Sequence, residues 1–197
     1  METIFKSGYE KIMKIFYNDK SAKIHLRKIA RETKLNENSV SRFLNQLEKS
    51  KILKSEREGN LKKYSIEKNQ LTFSLFSFFD VIRFENLPLL RKNAIKIYLE
   101  QLKVKPVILV VFGSTAKKTF REDSDIDILE IVNSKKDNSE ARNYAEAQTG
   151  IRIQTLQIES DIFKREIKIK QDKTLQSAIE TGFPIFNAKY FYEVVYG

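Results

Sequence analysis

Hydrophobic positions along the chain change period several times, and each change predicts an element. Tyr9, Ile12, Met13, Ile15 and Phe16 fall on one helical stripe over residues 9–18. The short piece KIHL, residues 23–26, reads as extended. Residues 26–53 then place Leu26, Ile29 and Ala30 on one helix and Val40, Phe43, Leu44 and Leu47 on a second, with only a few turn residues between them. The stretch KSEREGNLKKYSI, residues 54–66, has strand-like arms around the turn pair Gly59-Asn60. Over residues 71–88 the apolar side chains Leu71, Phe73, Leu75, Phe76, Phe78, Phe79, Val81, Ile82 and Phe84 cover nearly a whole helical circumference. Such a helix needs cover from the flanking domains, a second copy of the chain, or both.

Pro88 predicts the start of a further helix reaching about Leu102, with Leu89, Leu90, Ile95, Tyr98 and Leu99 as its buried stripe. PVILVVF, residues 106–112, is short and β-branched and reads as a buried strand. A second strand covers SDIDILEIV, a helix follows in SEARNYAEAQTG, and IRIQTLQI at residues 151–158 is a third strand. The tail predicts a helix burying Leu175, Ala178 and Ile179, a stop at Gly182, and a short strand at Pro184-Ile185-Phe186. Tyr190, Phe191 and Tyr192 read as core closure rather than as a base-stacking surface.

Charge separates the two ends. Residues 1–70 carry 17 Lys/Arg against 9 Asp/Glu and the remainder 19 against 17, so +8 of the net +10 lies in the first third. Such asymmetry points to a polyanion partner at one end and a different task at the other. With no cysteine, disulfides, thiolate zinc sites and cysteine nucleophiles are excluded. No apolar run reaches the length of a signal core or membrane span, so the expected setting is cytoplasmic, with no membrane partner.

The second helix of the N-terminal pair, capped by Asn36 or Asn38, turns Asn38, Ser39, Ser41, Arg42 and Asn45 away from its core. Small polar groups with one arginine are the chemistry that reads base edges and grips phosphates. Arg57, Lys62 and Lys63 make the hairpin basic. His25 opens the first helix of the pair without metal partners nearby in sequence. Helix, short strand, helix-turn-helix and basic hairpin in that order resemble the winged-helix family of DNA-binding domains over residues 5–68. The resemblance implies double-stranded DNA as partner, with the helix from Asn38 in the major groove and the hairpin on backbone or minor groove. It also implies a homodimer, because operators of this kind are commonly two-fold. Lys34 stands where the inter-helix turn usually carries glycine, and a left-handed lysine there costs about 1 kcal/mol.

Carboxylates inside an oily strand need a reason. In SDIDILEIV, alternation sends Asp125 and Asp127 to one face and Ile126 and Ile128 to the other. Two ionised groups about 7 Å apart along a strand repel unless a cation sits by them. An Asp pair suits Mg²⁺, which keeps several waters and binds through one or two carboxylates plus substrate phosphates. Eleven residues before Asp125, Ser114 follows Gly113 at the end of the first strand, where peptide N–H groups of Ser114 and Thr115 and the serine hydroxyl suit a phosphate.

This block, with Ala116 and Ser124, resembles the signature of the DNA polymerase beta-like nucleotidyltransferases, in particular the minimal MNT-type branch. The resemblance implies a nucleoside triphosphate (NTP) held at Gly113, Ser114, Thr115 and Lys117, and up to two Mg²⁺ on Asp125 and Asp127 as catalytic and metal-binding residues. It implies transfer of a nucleoside monophosphate to a protein side chain, an RNA end or a small molecule. Two departures stand out: Lys117-Lys118 follow the turn, and the strand at 151–158 has no acid, with Gln154 in the place of the third carboxylate. Glu159 is the nearest substitute.

The expected fold is therefore α+β: a winged helix-turn-helix over residues 1–70, an aromatic bridging helix over 71–87 and a small mixed-sheet, polymerase beta-like domain over 88–197. The expected function is that of a transcriptional regulator that binds or transfers nucleotide. The alternatives are a regulator that has lost catalysis and an antitoxin-like protein-interaction module.

Overall fold

Residues 8–197 are described by a computed structural model of the chain. Residues 5–7, where the winged-helix resemblance begins, lie outside them. The chain divides into two compact units, one ending at Phe76 and the other spanning Ser77–Gly197.

The first unit contains α1 (Gly8–Asn18), β1 (Ile24–His25), α2 (Leu26–Thr33), α3 (Glu37–Lys49), β2 (Leu53–Glu58) and β3 (Leu61–Ile66). The three strands pair antiparallel in the order β1-β3-β2. Ile12, Phe16, Ile29, Val40 and Leu44 are fully inaccessible and form its core, because the helical stripes of α1 to α3 converge. His25 caps α2, its Nδ1 accepting from Lys28 N at 3.3 Å, a role its sequence neighbours did not reveal. Asn36 rather than Asn38 caps α3, accepting from Ser39 N at 2.8 Å. Lys34 terminates α2 at φ 55°, ψ 35°, in the left-handed conformation expected of it.

The aromatic helix, α4 (Gln70–Glu85), crosses the division between the units. In the first unit Phe73 and Phe76 are buried and Phe76 meets Tyr17 edge-on at 5.7 Å. In the second, Phe79 and Asp80 are buried and Tyr192 Oη donates to Asp80 at 2.8 Å. Leu71 and Val81 are exposed.

The second unit continues with α5 (Leu89–Gln101), β4 (Ile108–Phe112), α6 (Gly113–Lys117), β5 (Ile126–Val132), α7 (Ser139–Thr149), β6 (Ile153–Glu159), α8 (Ser160–Ile169), α9 (Lys173–Thr181), β7 (Phe183–Phe186) and α10 (Ala188–Tyr196). Helix α8 has no counterpart among the predicted elements. The sheet runs β6-β5-β4-β7, parallel between β5 and β6 and antiparallel elsewhere. Alternation gives it two faces. Ile126 and Ile128 pack with Ala94, Ile95 and Tyr98 of α5 and Ala141 and Ala145 of α7. The opposite face, with Leu129 and Ile131, is packed by α8, α9 and α10.

The stripe of α5 differs from its prediction. Leu89 and Leu90 are 65% and 57% exposed, while Arg91, Ala94, Ile95 and Tyr98 are buried. Residues spaced by three, four and seven from Arg91 share a face, and Leu89 and Leu90 fall outside it. In the tail, Leu175, Ala178, Ile179, Phe191 and Tyr192 are buried as expected, and Tyr190 is exposed.

Candidate active site

Strand β4 ends at Phe112, whose neighbour across the sheet is Asp127, so the turn that begins at Gly113 starts beside that carboxylate. Gly113 has φ +65°, and a Cβ placed on it would lie 1.9 Å from Asp127 Oδ2. Glycine is thus required twice, by the backbone and by the carboxylate seated against its Cα. Serine follows at once, in the first turn of α6, where N–H groups have no intrahelical acceptor.

Asp125 immediately precedes β5, and Asp127 is its second residue. Both are half-buried. Burial, and after it the negative charge of Asp125, hold the Asp127 carboxyl above the usual carboxylate range. Gln154 on β6 stands in register with Asp127 and its Nε2 donates to Asp125 Oδ2. The amide therefore belongs to the carboxylate pair. Glu159 cannot take the place of a third acid: it pairs with Val132, five residues along β5, or about 17 Å away at the usual rise.

Among the expected phosphate contacts, Gly113 and Ser114 are half-buried and Lys117 is exposed. Thr115 is fully inaccessible, and its hydroxyl accepts from Arg91 Nη1 at 3.0 Å, which anchors the turn. Among the described residues no group of three His, Cys, Asp or Glu is placed to hold a metal. Two carboxylates with raised repulsion and one amide suit a single divalent cation that completes its shell with water and phosphate oxygens.

The sequence pattern of the family described as "Polymerase beta, Nucleotidyltransferase" matches residues 92–190. The chain belongs to this nucleotidyltransferase family. No curated protein and no solved structure matches it. The matched segment contains the serine turn, both aspartates and Gln154, and the α+β layers of the second unit are those of its nucleotidyltransferase domain.

Two features of this nucleotidyltransferase domain escaped the sequence reading. Glu130, in the middle of β5, is fully inaccessible on the face opposite Asp127, and accepts from Tyr98 Oη, Asn138 Nδ2 (2.9 Å) and Gln157 Nε2 (2.9 Å). Burial, then the charge of Glu130, pushes the Tyr98 hydroxyl pKa strongly upward, so it stays a donor. The other is Arg91, buried on α5. A lone charge inside an oily run was the available signal for Glu130; nothing in the sequence marked Arg91.

In the N-terminal unit, Asn38, Arg42 and Asn45 on α3 are exposed and Ser39 and Ser41 half-exposed. Arg57 is exposed on the hairpin, opposite Lys62. Lys62 is tied to Glu48 at 2.9 Å and Lys63 to Glu58, so part of the hairpin charge is neutralised internally. No helix among the described residues is long and apolar enough to cross a membrane.

Proposed function

We propose that this nucleotidyltransferase-family chain binds an NTP together with Mg²⁺ at Gly113, Ser114, Lys117, Asp125 and Asp127, and binds double-stranded DNA through a winged helix-turn-helix at its N-terminal end, acting as a transcriptional regulator. One observation carries the nucleotide half: the Asp127 carboxylate rests against Gly113, which joins the phosphate-suited turn to the acid pair. A bound cation supplies positive charge to both carboxylates and to the phosphate oxygens. Gly113 lets the chain approach the β- and γ-phosphates closely, Ser114 offers its hydroxyl and N–H, and Lys117 adds a flexible charge. Asp125 and Asp127 orient the cation.

Transfer of nucleoside monophosphate to a protein or RNA acceptor is the activity this arrangement supports first. Gln154 favours a second reading, in which nucleotide is bound and sensed without transfer. An amide neither accepts a proton as a base nor adds charge, and here it is already committed to Asp125. Titration calorimetry of ATP, GTP, CTP and UTP with Mg²⁺, followed by mass measurement of the protein and added acceptors, separates the two. Added nucleotide mass means transfer, and binding without it means sensing. Binding of none of the four, or binding unaltered by both Asp125→Asn and Asp127→Asn, removes the proposal.

The DNA reading is supported by the polar α3 face, the exposed Arg42 and Arg57, and the N-terminal charge excess. With Lys62 and Lys63 held by acids, α3 carries most of the contact. Duplex affinity should fall steeply between low and moderate salt and be lost on Arg42→Ala. Failure to bind any duplex at low salt would favour a protein-interaction module. A homodimer accords with this reading, and the exposed Leu89 and Leu90 offer apolar surface to a second copy.

A further inference from the structure

Arg91 is a buried guanidinium that faces carbonyls. It is 3% exposed on α5, and the oxygens it donates to are a hydroxyl and three backbone carbonyls. Nη1 donates to Thr115 Oγ1 at 3.0 Å and to the Asp125 carbonyl at 3.4 Å. Nη2 donates to the Arg121 carbonyl at 3.0 Å and the Ser124 carbonyl at 2.6 Å. Its Cζ lies over the Phe120 ring, 4.1 Å from the ring centre. Every one of these partners belongs to the stretch between the serine turn and the first aspartate of the pair. Residues 118–125 have no helix or strand of their own, so the order of this loop depends on the contacts its residues make.

We infer that Arg91 is a positioning residue: it clasps residues 115–125 from beneath, so that Ser114 and Asp125 meet one ligand at a fixed spacing. Only a planar fork of five donors can serve four acceptors lying in different directions around one ring. Lysine retains the charge and loses the fork. The consequence for ligand binding rests on the cation-and-phosphate reading above; the clasp itself does not.

The test uses the full chain with Arg91→Lys, Arg91→Met and Arg91→Ala. Amide hydrogen exchange should quicken by about tenfold or more across residues 118–125 while β4 and β5 keep their protection, and Mn²⁺ affinity by calorimetry should fall by about tenfold. Guanidinium ion added at millimolar concentration to Arg91→Ala should restore both, whereas ammonium should restore neither. Exchange across 118–125 that is unchanged in Arg91→Lys overturns the inference. So does a loosened segment with undiminished Mn²⁺ affinity, which would make Arg91 a structural residue alone. If Arg91→Met unfolds, Arg91→Lys and the guanidinium rescue decide. If the unaltered chain binds no Mn²⁺, the cation reading falls and the exchange result judges the clasp by itself.

Discussion

Replacing Gly113 with alanine perturbs backbone and site together, and Gly150 provides the means to separate them. Both glycines belong to the nucleotidyltransferase unit and both have positive φ, +65° and +70°. A Cβ on Gly150 meets nothing within 4 Å; on Gly113 it meets the Asp127 carboxylate at 1.9 Å. Gly150→Ala therefore carries only the left-handed penalty, about 1–2 kcal/mol, reduced by a few tenths through the lower entropy of the unfolded chain. Gly113→Ala carries the same penalty and must also drive Asp127 aside by more than 1 Å to reach an ordinary contact. A side chain pushed off its rotamer adds about 0.5–1.5 kcal/mol, for a total of about 2–3 kcal/mol. Urea unfolding, followed by a probe in the second unit, measures each loss. In an Asp127→Ala background the excess should vanish, leaving Gly113→Ala close to Gly150→Ala. Equal losses for the two glycines in the unaltered background would refute the claim that Asp127 is seated on the turn.

Asp127→Asn should stabilise the metal-free chain at pH 7, because the folded state raises this acid's pKa and ionisation there costs stability; the advantage is absent below the ordinary aspartate value of about 3.9 and grows as pH rises through the folded value. A metal-free wild type that is the more stable at pH 7 contradicts this. Lys34→Gly should stabilise the N-terminal unit by about 1 kcal/mol in urea, since φ 55° is left-handed and glycine adopts it without strain. Tyr98→Phe should cost about 1–3 kcal/mol by withdrawing one of three donors from the inaccessible Glu130; a neutral outcome would mean that Asn138 and Gln157 suffice. On α5, Leu89→Ser should change stability by no more than about 0.5 kcal/mol, whereas Ile95→Ala should cost about 2–5 kcal/mol, and comparable losses would restore the stripe read from the sequence.

Periodicity alone located most of the elements, because a stripe of Ile12, Met13 and Phe16, or an alternation such as Ile126-Asp127-Ile128, records which face of a local repeat meets oil. The same local logic made Asp125 and Asp127 conspicuous, since a carboxylate at a position where the pattern calls for burial has to be explained by what it faces. It misled at α5. Leu89 and Leu90 are apolar and helical, but which arc of a helix points inward depends on where the sheet lies, and the sheet arrives later in the chain.

Residues 111–133 already spelled out the chemical ingredients of the site: a glycine-serine turn and two acids one residue apart. Folding decided how they meet. The antiparallel pairing of β4 with β5 brings Phe112 opposite Asp127 and so seats a carboxylate on Gly113; the parallel addition of β6 sets Gln154 beside Asp125 and carries Glu159 to the far end of the strand. The roles of Thr115 and Arg91 were likewise open until α5 packed beneath the loop, because a guanidinium that binds backbone carbonyls leaves no pattern in its partners' side chains. Local spacing tells which groups a chain owns. Strand register and burial determine which of them share a ligand.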